Sequence, residues 1–147
     1  MAKDSDAYLS QNVSWTIQKG SWLIHLIVTF ILWITLSQIF GHSIGWQLTV
    51  ITYNIVTFIF FHWIVGDPFD TSYREFTFWE QVTEQLEHSS TLIFMSVYPV
   101  ILFMVVSRIV VWKIKLLIVA IISLALVVVP KLGFMHMKRI FGIKRHD

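Results

Sequence analysis

Two long stretches of this chain contain no aspartate, glutamate, lysine or arginine, and they constrain the fold more than any other feature. They are residues 22–40 and residues 46–65. A helix of about 20 apolar residues is long enough to cross a hydrocarbon core about 30 Å thick. We therefore predict that each stretch is a transmembrane helix. The segment between them, GHSIG, contains two glycines and predicts a short antiparallel hairpin.

A third apolar stretch, residues 92–129, is too long for one transmembrane helix. A single helix over it would be about 57 Å long, well beyond the thickness of a bilayer. Charged residues lie between Arg108 and Lys115, and we place a turn there because such side chains can extend to the headgroups. The prediction is an all-α membrane protein with one domain over residues 1–147. Its four transmembrane helices are expected at about 22–40, 46–65, 92–110 and 114–131.

Composition and charge agree with a membrane protein and predict its orientation. The sequence is 56% hydrophobic and 14% charged, whereas about 25% of the residues in soluble domains are charged. Eight of the eleven lysines and arginines lie in the two terminal regions or in the connection 66–91. The positive-inside rule therefore predicts that both termini are cytosolic. The net charge of +2 is too small to indicate nucleic-acid binding.

The connection 66–91 combines acidic residues with large aromatic residues. We expect an amphipathic helix near Glu75 to Leu86. One interpretation is a solvated loop that contains this short helix. The alternative places the aromatic rings at the membrane surface or in a partner's groove, which makes the connection a candidate contact site. These rings belong to Phe69, Phe76, Phe78 and Trp79.

No pattern for catalysis or metal binding is present in the sequence. No two of the six histidines are three or four residues apart, and no acidic residue lies within a predicted span. Glu80, Glu84 and His88 recur at intervals of four residues, but this spacing is common on solvated helices and supplies no nucleophile. We therefore predict a protein that is not an enzyme, with no catalytic residue, no metal site and no cofactor.

Polar residues within the predicted spans are consistent with more than one function. We expect Asn54 to hydrogen-bond between helices, as polar side chains in membranes do, and we expect His25 and His62 to do the same or to lie at the membrane interface. A different possibility is a small oligomeric transporter or channel for a lipid or solute. A channel needs polar residues along one helix face, but those of the second span spread over several faces at about 100° per residue. They are Thr49, Thr52, Asn54 and Thr57.

Four short motifs in order along the chain resemble the ORM/ORMDL proteins. They are NVSW at 12–15 with GSWL at 20–23, FHWIVGDPF at 61–69, WEQ at 79–81, and VPKLG at 129–133 followed by HMKRIFGI at 136–143. The order and spacing of the motifs carry the resemblance, which covers about residues 12–143. It implies a multi-pass protein of the endoplasmic reticulum membrane. Such a protein binds serine palmitoyltransferase and inhibits it in response to ceramide, which controls sphingolipid synthesis.

The same resemblance implies a ceramide-binding site. Asn12 matches the asparagine that hydrogen-bonds the polar head of ceramide in the family, and its amide offers both a donor and an acceptor. Phe60 and Phe78 match positions near the ceramide chains or head. An alternative for Asn12 is an interfacial residue that caps the helix behind it. Further residues expected to contact a partner or lipid are Trp15, Trp22, His62 and Trp79.

The implied partners are the large subunits and the small activating subunit of serine palmitoyltransferase. Met1 to Ser10 matches the N-terminal segment that obstructs the enzyme's substrate path in the family. Two positions depart from the family pattern. Val65 stands where a lysine is usual, and Leu92 with Ile93 stand where an Arg-Lys pair is usual. These departures put headgroup or enzyme contacts at those positions in question.

Overall fold

The computed structural model describes residues 9–68, 71–86 and 89–132, which form a helical bundle. Four of its segments are long and apolar enough to cross a membrane: Leu23–Phe40, His42–Trp63, Ser90–Ile109 and Ile114–Lys131. The predicted all-α fold with four transmembrane helices is therefore confirmed. In chain order the helices are α1 (Gln11–Ser14), α2 (Leu23–Phe40), α3 (His42–Phe58), α4 (Phe78–Gln85), α5 (Ser90–Ile109) and α6 (Ile114–Val128). A π-helical turn, Ile59–Trp63, continues α3.

The hairpin between α2 and α3 is shorter than the GHSIG segment suggests. Gly41 alone separates the two helices, and its φ of 89° lies in the left-handed region that glycine adopts without steric cost. Gly45 lies within α3, where a Cβ atom would overlap the side chain of Ser37 and lie 2.6 Å from its Cα. The backbones of α2 and α3 thus approach closely through small residues, as is common for membrane helices.

Helix α3 is the central helix, packed against α2, α5 and α6. Its polar side chains are used in this packing. Asn54 Nδ2 donates a hydrogen bond to Ser123 Oγ of α6 at 3.2 Å. Tyr53 OH lies 2.8 Å from His25 Nδ1 of α2. The interhelical hydrogen bonds predicted for Asn54 and His25 are therefore confirmed.

The turn between α5 and α6 is held by a buried glutamine from α3. Gln47 Nε2 donates to the carbonyl oxygen of Val111 at 3.2 Å, and Gln47 Oε1 accepts from the backbone N–H of Lys113 at 3.0 Å. The two partly buried backbone groups need partners, and one side chain satisfies both. The turn lies within the interval from Arg108 to Lys115 that the charges indicate. We call this end of the bundle, with both of its short turns, the far end.

The opposite, near end of the bundle carries α1 and α4. A capping box begins α4, since Thr77 Oγ1 accepts from the backbone N–H of Glu80 at 3.3 Å and Glu80 Oε2 accepts from that of Thr77 at 2.9 Å. The structure therefore gives Glu80 a capping role. The predicted amphipathic helix is present, with Phe78, Trp79 and Val82 buried. His88 lies outside the described residues.

The aromatic rings of the connection do not lie where the contact-site interpretation places them. Phe76, Phe78 and Trp79 are each at most 9% exposed. Phe78 and Trp79 are buried because the N-terminal segment and the end of α3 both pack against α4. These two rings stabilise the chain's own core, and Phe76 packs edge-on against Tyr73. The expectation that the three rings face lipid or a partner's groove is therefore corrected. Phe69 is outside the described residues.

Candidate functional site

The N-terminal segment, residues 9–22, covers α4 through an apolar cluster. Val13 is fully buried in this cluster. The α4 residues in it share one face because they are spaced for a helix. We call it the α4 cluster, and its buried members are Val13, Phe61, Phe78, Trp79, Val82, Leu86 and Met95. The cluster places α1 beside the end of α3, so the predicted site residues from three separate parts of the sequence come together.

Asn12 is half-buried and is held by a glutamine of α4. Asn12 Nδ2 donates to Gln81 Oε1 at 2.8 Å. Gln81 is fully buried, and its Nε2 donates to the carbonyl oxygens of Gly66 at 3.0 Å and Phe76 at 3.1 Å. The residue that precedes α1 as its N-cap is Ser10, and that of α2 is Trp22. Asn12 is thus bonded across the chain and does not have the helix-capping role considered as an alternative.

A second glutamine of α4 ties down the start of the N-terminal segment. Gln85 Oε1 accepts from the backbone N–H of Ser10 at 2.7 Å, and Gln85 Nε2 donates to Ser10 Oγ at 3.1 Å. Gln81 and Gln85 are four residues apart and so share a helix face. Neither is predictable as a site residue from sequence, because a polar residue on a short amphipathic helix ordinarily faces water. The only local sequence signal for Gln81 and Gln85 is their spacing of four residues beside the apolar face of α4.

The two predicted aromatic residues of the site differ in exposure. Phe78 is 5% exposed and is stacked on Trp15, with ring centroids 5.9 Å apart. Phe60 also lies beside Phe78, at 5.8 Å between centroids, and is 53% exposed. Phe60 is therefore accessible from outside the chain, whereas Trp15 packs on Phe78. Trp15 is itself half-buried.

Trp79 is buried and His62 is half-buried beside a lysine. Among the described residues His62 Nε2 has no hydrogen-bond partner, so the interhelical hydrogen bond expected of His62 is not found. The ring centroids of His62 and Trp79 are 6.1 Å apart, and Trp79 is 5% exposed. Lys131 Nζ lies 5.4 Å from the Trp79 centroid and donates to the carbonyl oxygen of Met95 at 2.8 Å. A cation over an aromatic face is stabilised by the ring quadrupole. Lys131 therefore joins the end of α6 to α4 and α5, a role that its position among tail cations does not indicate.

Trp22 lies at the edge of an open pocket on the other side of the N-terminal segment. Its side chain is 49% exposed and meets the Phe94 ring edge-on, at 6.5 Å between centroids. The pocket has a volume of about 400 Å³, and its lining includes Trp15, Lys19 and Thr91. Of the four residues expected to contact lipid or a partner, Trp22 is the most exposed. Met1 and residues 2–8 are outside the described residues.

The positions that depart from the family pattern lie at or beside this end of the bundle. Val65 is 48% exposed and Ile93 is 65% exposed. Leu92 is half-buried and packs against the α4 cluster. Exposed Val65 and Ile93 offer apolar contacts where basic side chains are usual.

Comparison with known proteins identifies the family. Residues 10–139, which include every residue of the site described above, match the ORMDL family. The chain belongs to the ORMDL family. Protein ORM2 of Saccharomyces cerevisiae is 34% identical over 143 residues, which cover 93% of this chain and 66% of the yeast protein. ORM1-like protein 2 of Homo sapiens is 31% identical over 134 residues, covering 87% of this chain and 88% of the human protein.

Proposed function

We propose that this ORMDL protein is a non-catalytic regulatory subunit of the endoplasmic reticulum membrane. It binds the large subunits and the small activating subunit of serine palmitoyltransferase and inhibits the enzyme in response to ceramide. Family membership supports this proposal. The observation that carries it is the arrangement of Asn12, a half-buried amide bonded to α4 at the near end of the spans, where the exposed ring of Phe60 contacts Phe78 of the same helix.

Asn12 and Phe60 have the chemistry to bind a ceramide. Ceramide carries one amide and free hydroxyl groups on two long apolar chains. Asn12 offers an amide of matching polarity, and Phe60 offers an exposed apolar surface. Trp15 and Trp22 are indoles of the kind that favours the membrane interface. Asn12 would bind the polar head, and Phe60 would contact a chain.

A regulatory mechanism follows from what precedes Asn12 in the chain. Ser10 is bonded to Gln85, so Met1 to Ser10 leads into a segment whose position depends on α4. Ceramide regulates only if it binds the inhibitory arrangement more tightly than the active one. Ceramide held at Asn12 would favour the arrangement in which the residues before Ser10 obstruct the enzyme. That inhibition is steric and needs no catalytic group.

The proposal is tested by long-chain-base synthesis in membranes that contain serine palmitoyltransferase and this chain, titrated with ceramide. We expect inhibition that deepens with ceramide, and we expect Asn12→Ala to lose this response while still co-purifying with the enzyme. Gln11→Ala is the matched control, because Gln11 is the exposed neighbour of Asn12.

Two results would contradict the proposed function. In the first, the wild-type chain co-purifies with the enzyme but does not inhibit it at any ceramide concentration. In the second, the chain does not co-purify, while proteoliposomes that contain only this chain show solute or lipid flux. The second result would favour a transporter.

A further inference from the structure

The orientation of the Gln81 side-chain amide is determined by its surroundings. Its Nε2 lies 3.0 Å from the carbonyl oxygen of Gly66 and 3.1 Å from that of Phe76. Both neighbours are acceptors only. The reverse orientation would place Gln81 Oε1 against two carbonyl oxygens with no hydrogen between them, in a side chain that is fully buried. Gln81 Oε1 must therefore point towards Asn12.

The orientation of Asn12 follows from that of Gln81. Because Gln81 presents an acceptor, Asn12 must turn its Nδ2 towards it, and the two atoms are 2.8 Å apart. The carbonyl oxygen Oδ1 of Asn12 then lies on the other branch of the amide. No described residue donates a hydrogen bond to this oxygen. The backbone carbonyls of Gly66 and Phe76 thus determine that the acceptor Oδ1 of Asn12 faces away from Gln81, while Nδ2 uses one of its two hydrogens on Gln81.

We propose that Gln81 is a positioning residue that leaves Oδ1 as the open acceptor of the Asn12 site, so that a ligand group that donates a hydrogen bond is recognised there. The inference rests on the proposed function, since it concerns the same site. The group recognised by Asn12 Oδ1 is a hydroxyl or an amide N–H of the ceramide head. A methyl group in place of the hydrogen on this nitrogen or oxygen removes the donor. The methylated ceramide keeps its acceptors and its chains but cannot make this bond.

Gln85 provides a matched comparison within the same helix. It bonds Ser10 through both ends of its amide, so it tethers the N-terminal segment as Gln81 does, but it makes no hydrogen bond to Asn12. If Gln81 matters only as a tether, loss of either glutamine has the same consequence. If Gln81 orients Asn12, only its loss changes which ligands are accepted.

The first experiment measures the potency with which ceramide and its 1-O-methyl, 3-O-methyl and N-methyl derivatives inhibit serine palmitoyltransferase in complex with this chain. With the wild-type chain, we expect at least one methylated derivative to be about tenfold weaker than ceramide, the loss of one good hydrogen bond. With Gln81→Met, ceramide becomes weaker and the ratio between ceramide and that derivative falls towards one. With Gln85→Met, the ratio stays at its wild-type value.

The inference would be overturned by either of two results from these variants. One is an assembled Gln81→Met complex that discriminates as the wild type does. The other is an equal loss of discrimination in Gln85→Met, which would make both glutamines tethers. Equal potency of all four ligands on the wild-type complex would also overturn it.

A second measurement observes ceramide binding to the wild-type chain and needs neither glutamine variant. The chain is placed in lipid nanodiscs with its asparagines labelled with ¹³C and ¹⁵N, and ceramide is added. Asn12→Ala identifies the Asn12 signals. We expect ceramide to shift the ¹³Cγ resonance of Asn12, which reports its carbonyl, and to leave the Nδ2 resonance near its free position. A shift confined to Nδ2 would overturn the inference.

The two proposals fail in distinguishable ways. If ceramide inhibits the enzyme through Asn12 but shifts only Nδ2, the proposed function stands and the role of Gln81 is wrong. If ceramide neither inhibits the enzyme nor shifts any Asn12 resonance, the proposed function itself is wrong.

Discussion

Two buried glutamines at opposite ends of the bundle have similar burial but different partners. Gln47 at the far end is 1% exposed and Gln81 at the near end is fully buried. The amide of Gln47 joins two backbone groups of one turn. The amide of Gln81 joins two backbone carbonyls to a side chain, Asn12, that is only half-buried. Gln47 and Gln81 have the same residue type and similar burial, so neither property distinguishes their roles. Their partners do: Gln47 has a structural role, whereas Gln81 also orients a candidate ligand-binding side chain.

The neighbourhoods of the two glutamines differ in the same way. At the far end, the α2–α3 hairpin is so close-packed that Gly45 has no space for a Cβ atom. At the near end, Phe60 is exposed and a pocket of about 400 Å³ opens beside the N-terminal segment. We therefore expect changes at the far end to alter stability and changes at the near end to alter the response to ceramide.

The largest effect is expected from Gly45→Val at the far end. The added side chain meets backbone atoms of Ser37, which cannot move aside by a change of rotamer. Overpacking of this kind costs about 3 kcal/mol or more, so the yield and the melting temperature of the chain in detergent should both fall. Val56→Ala, at an exposed position of the same helix, is the control. A melting temperature for Gly45→Val equal to that of the control would show that the hairpin is not close-packed.

A smaller loss of stability is expected from Gln47→Leu. The change leaves the Val111 carbonyl and the Lys113 N–H without their partner, and each unsatisfied group costs about 1–3 kcal/mol when water does not replace it. The melting temperature should fall, whereas the ceramide potency of the chain that remains folded should equal that of the wild type. Gln38→Leu, exposed on α2, is the control. Altered ceramide potency in folded Gln47→Leu would remove the distinction between the two ends.

Trp15→Leu at the near end should affect stability and ligand response together. The loss of the stack on Phe78 costs about 1 kcal/mol beyond the area buried, and it exposes a ring next to Asn12. We expect a modest fall in melting temperature and weaker ceramide potency. Trp22→Leu is the matched control because Trp22 contacts Phe94 instead. If the two tryptophan variants behave alike, the Trp15–Phe78 stack has no special part in the site.

Asn12→Ala should have the smallest effect on stability of these four changes. It removes one side-chain hydrogen bond at a half-buried position, worth about 1 kcal/mol. Its melting temperature should therefore lie close to that of the wild type although its ceramide response is lost. A melting temperature as low as that of Gln47→Leu would mean that Asn12 acts mainly as a structural residue.

Several residues of the near end were predictable from sequence, but the contacts between them were not. The ORM/ORMDL motifs single out Asn12, Phe60 and Phe78. The structure brings Phe60 and Phe78 into contact, and it places Asn12 against the helix that carries Phe78. The aromatic content of the connection suggested exposed rings, whereas Phe78 and Trp79 are buried. Burial depends on which other segment packs on a helix, and this information is not contained in the composition of the helix itself.

The four spans are predictable from sequence alone. Bilayer thickness imposes a length on charge-free segments, and this length is visible in the local sequence. The α2–α3 hairpin is predictable in the same way, because glycines lie where the chain reverses. The partners of the buried amides, in contrast, depend on the tertiary structure. Gln47 meets Val111 across 64 residues, and Gln81 meets Asn12 across 69. A buried amide is satisfied by whichever donor or acceptor the packing of helices brings to it, and no local pattern records a neighbour that distant.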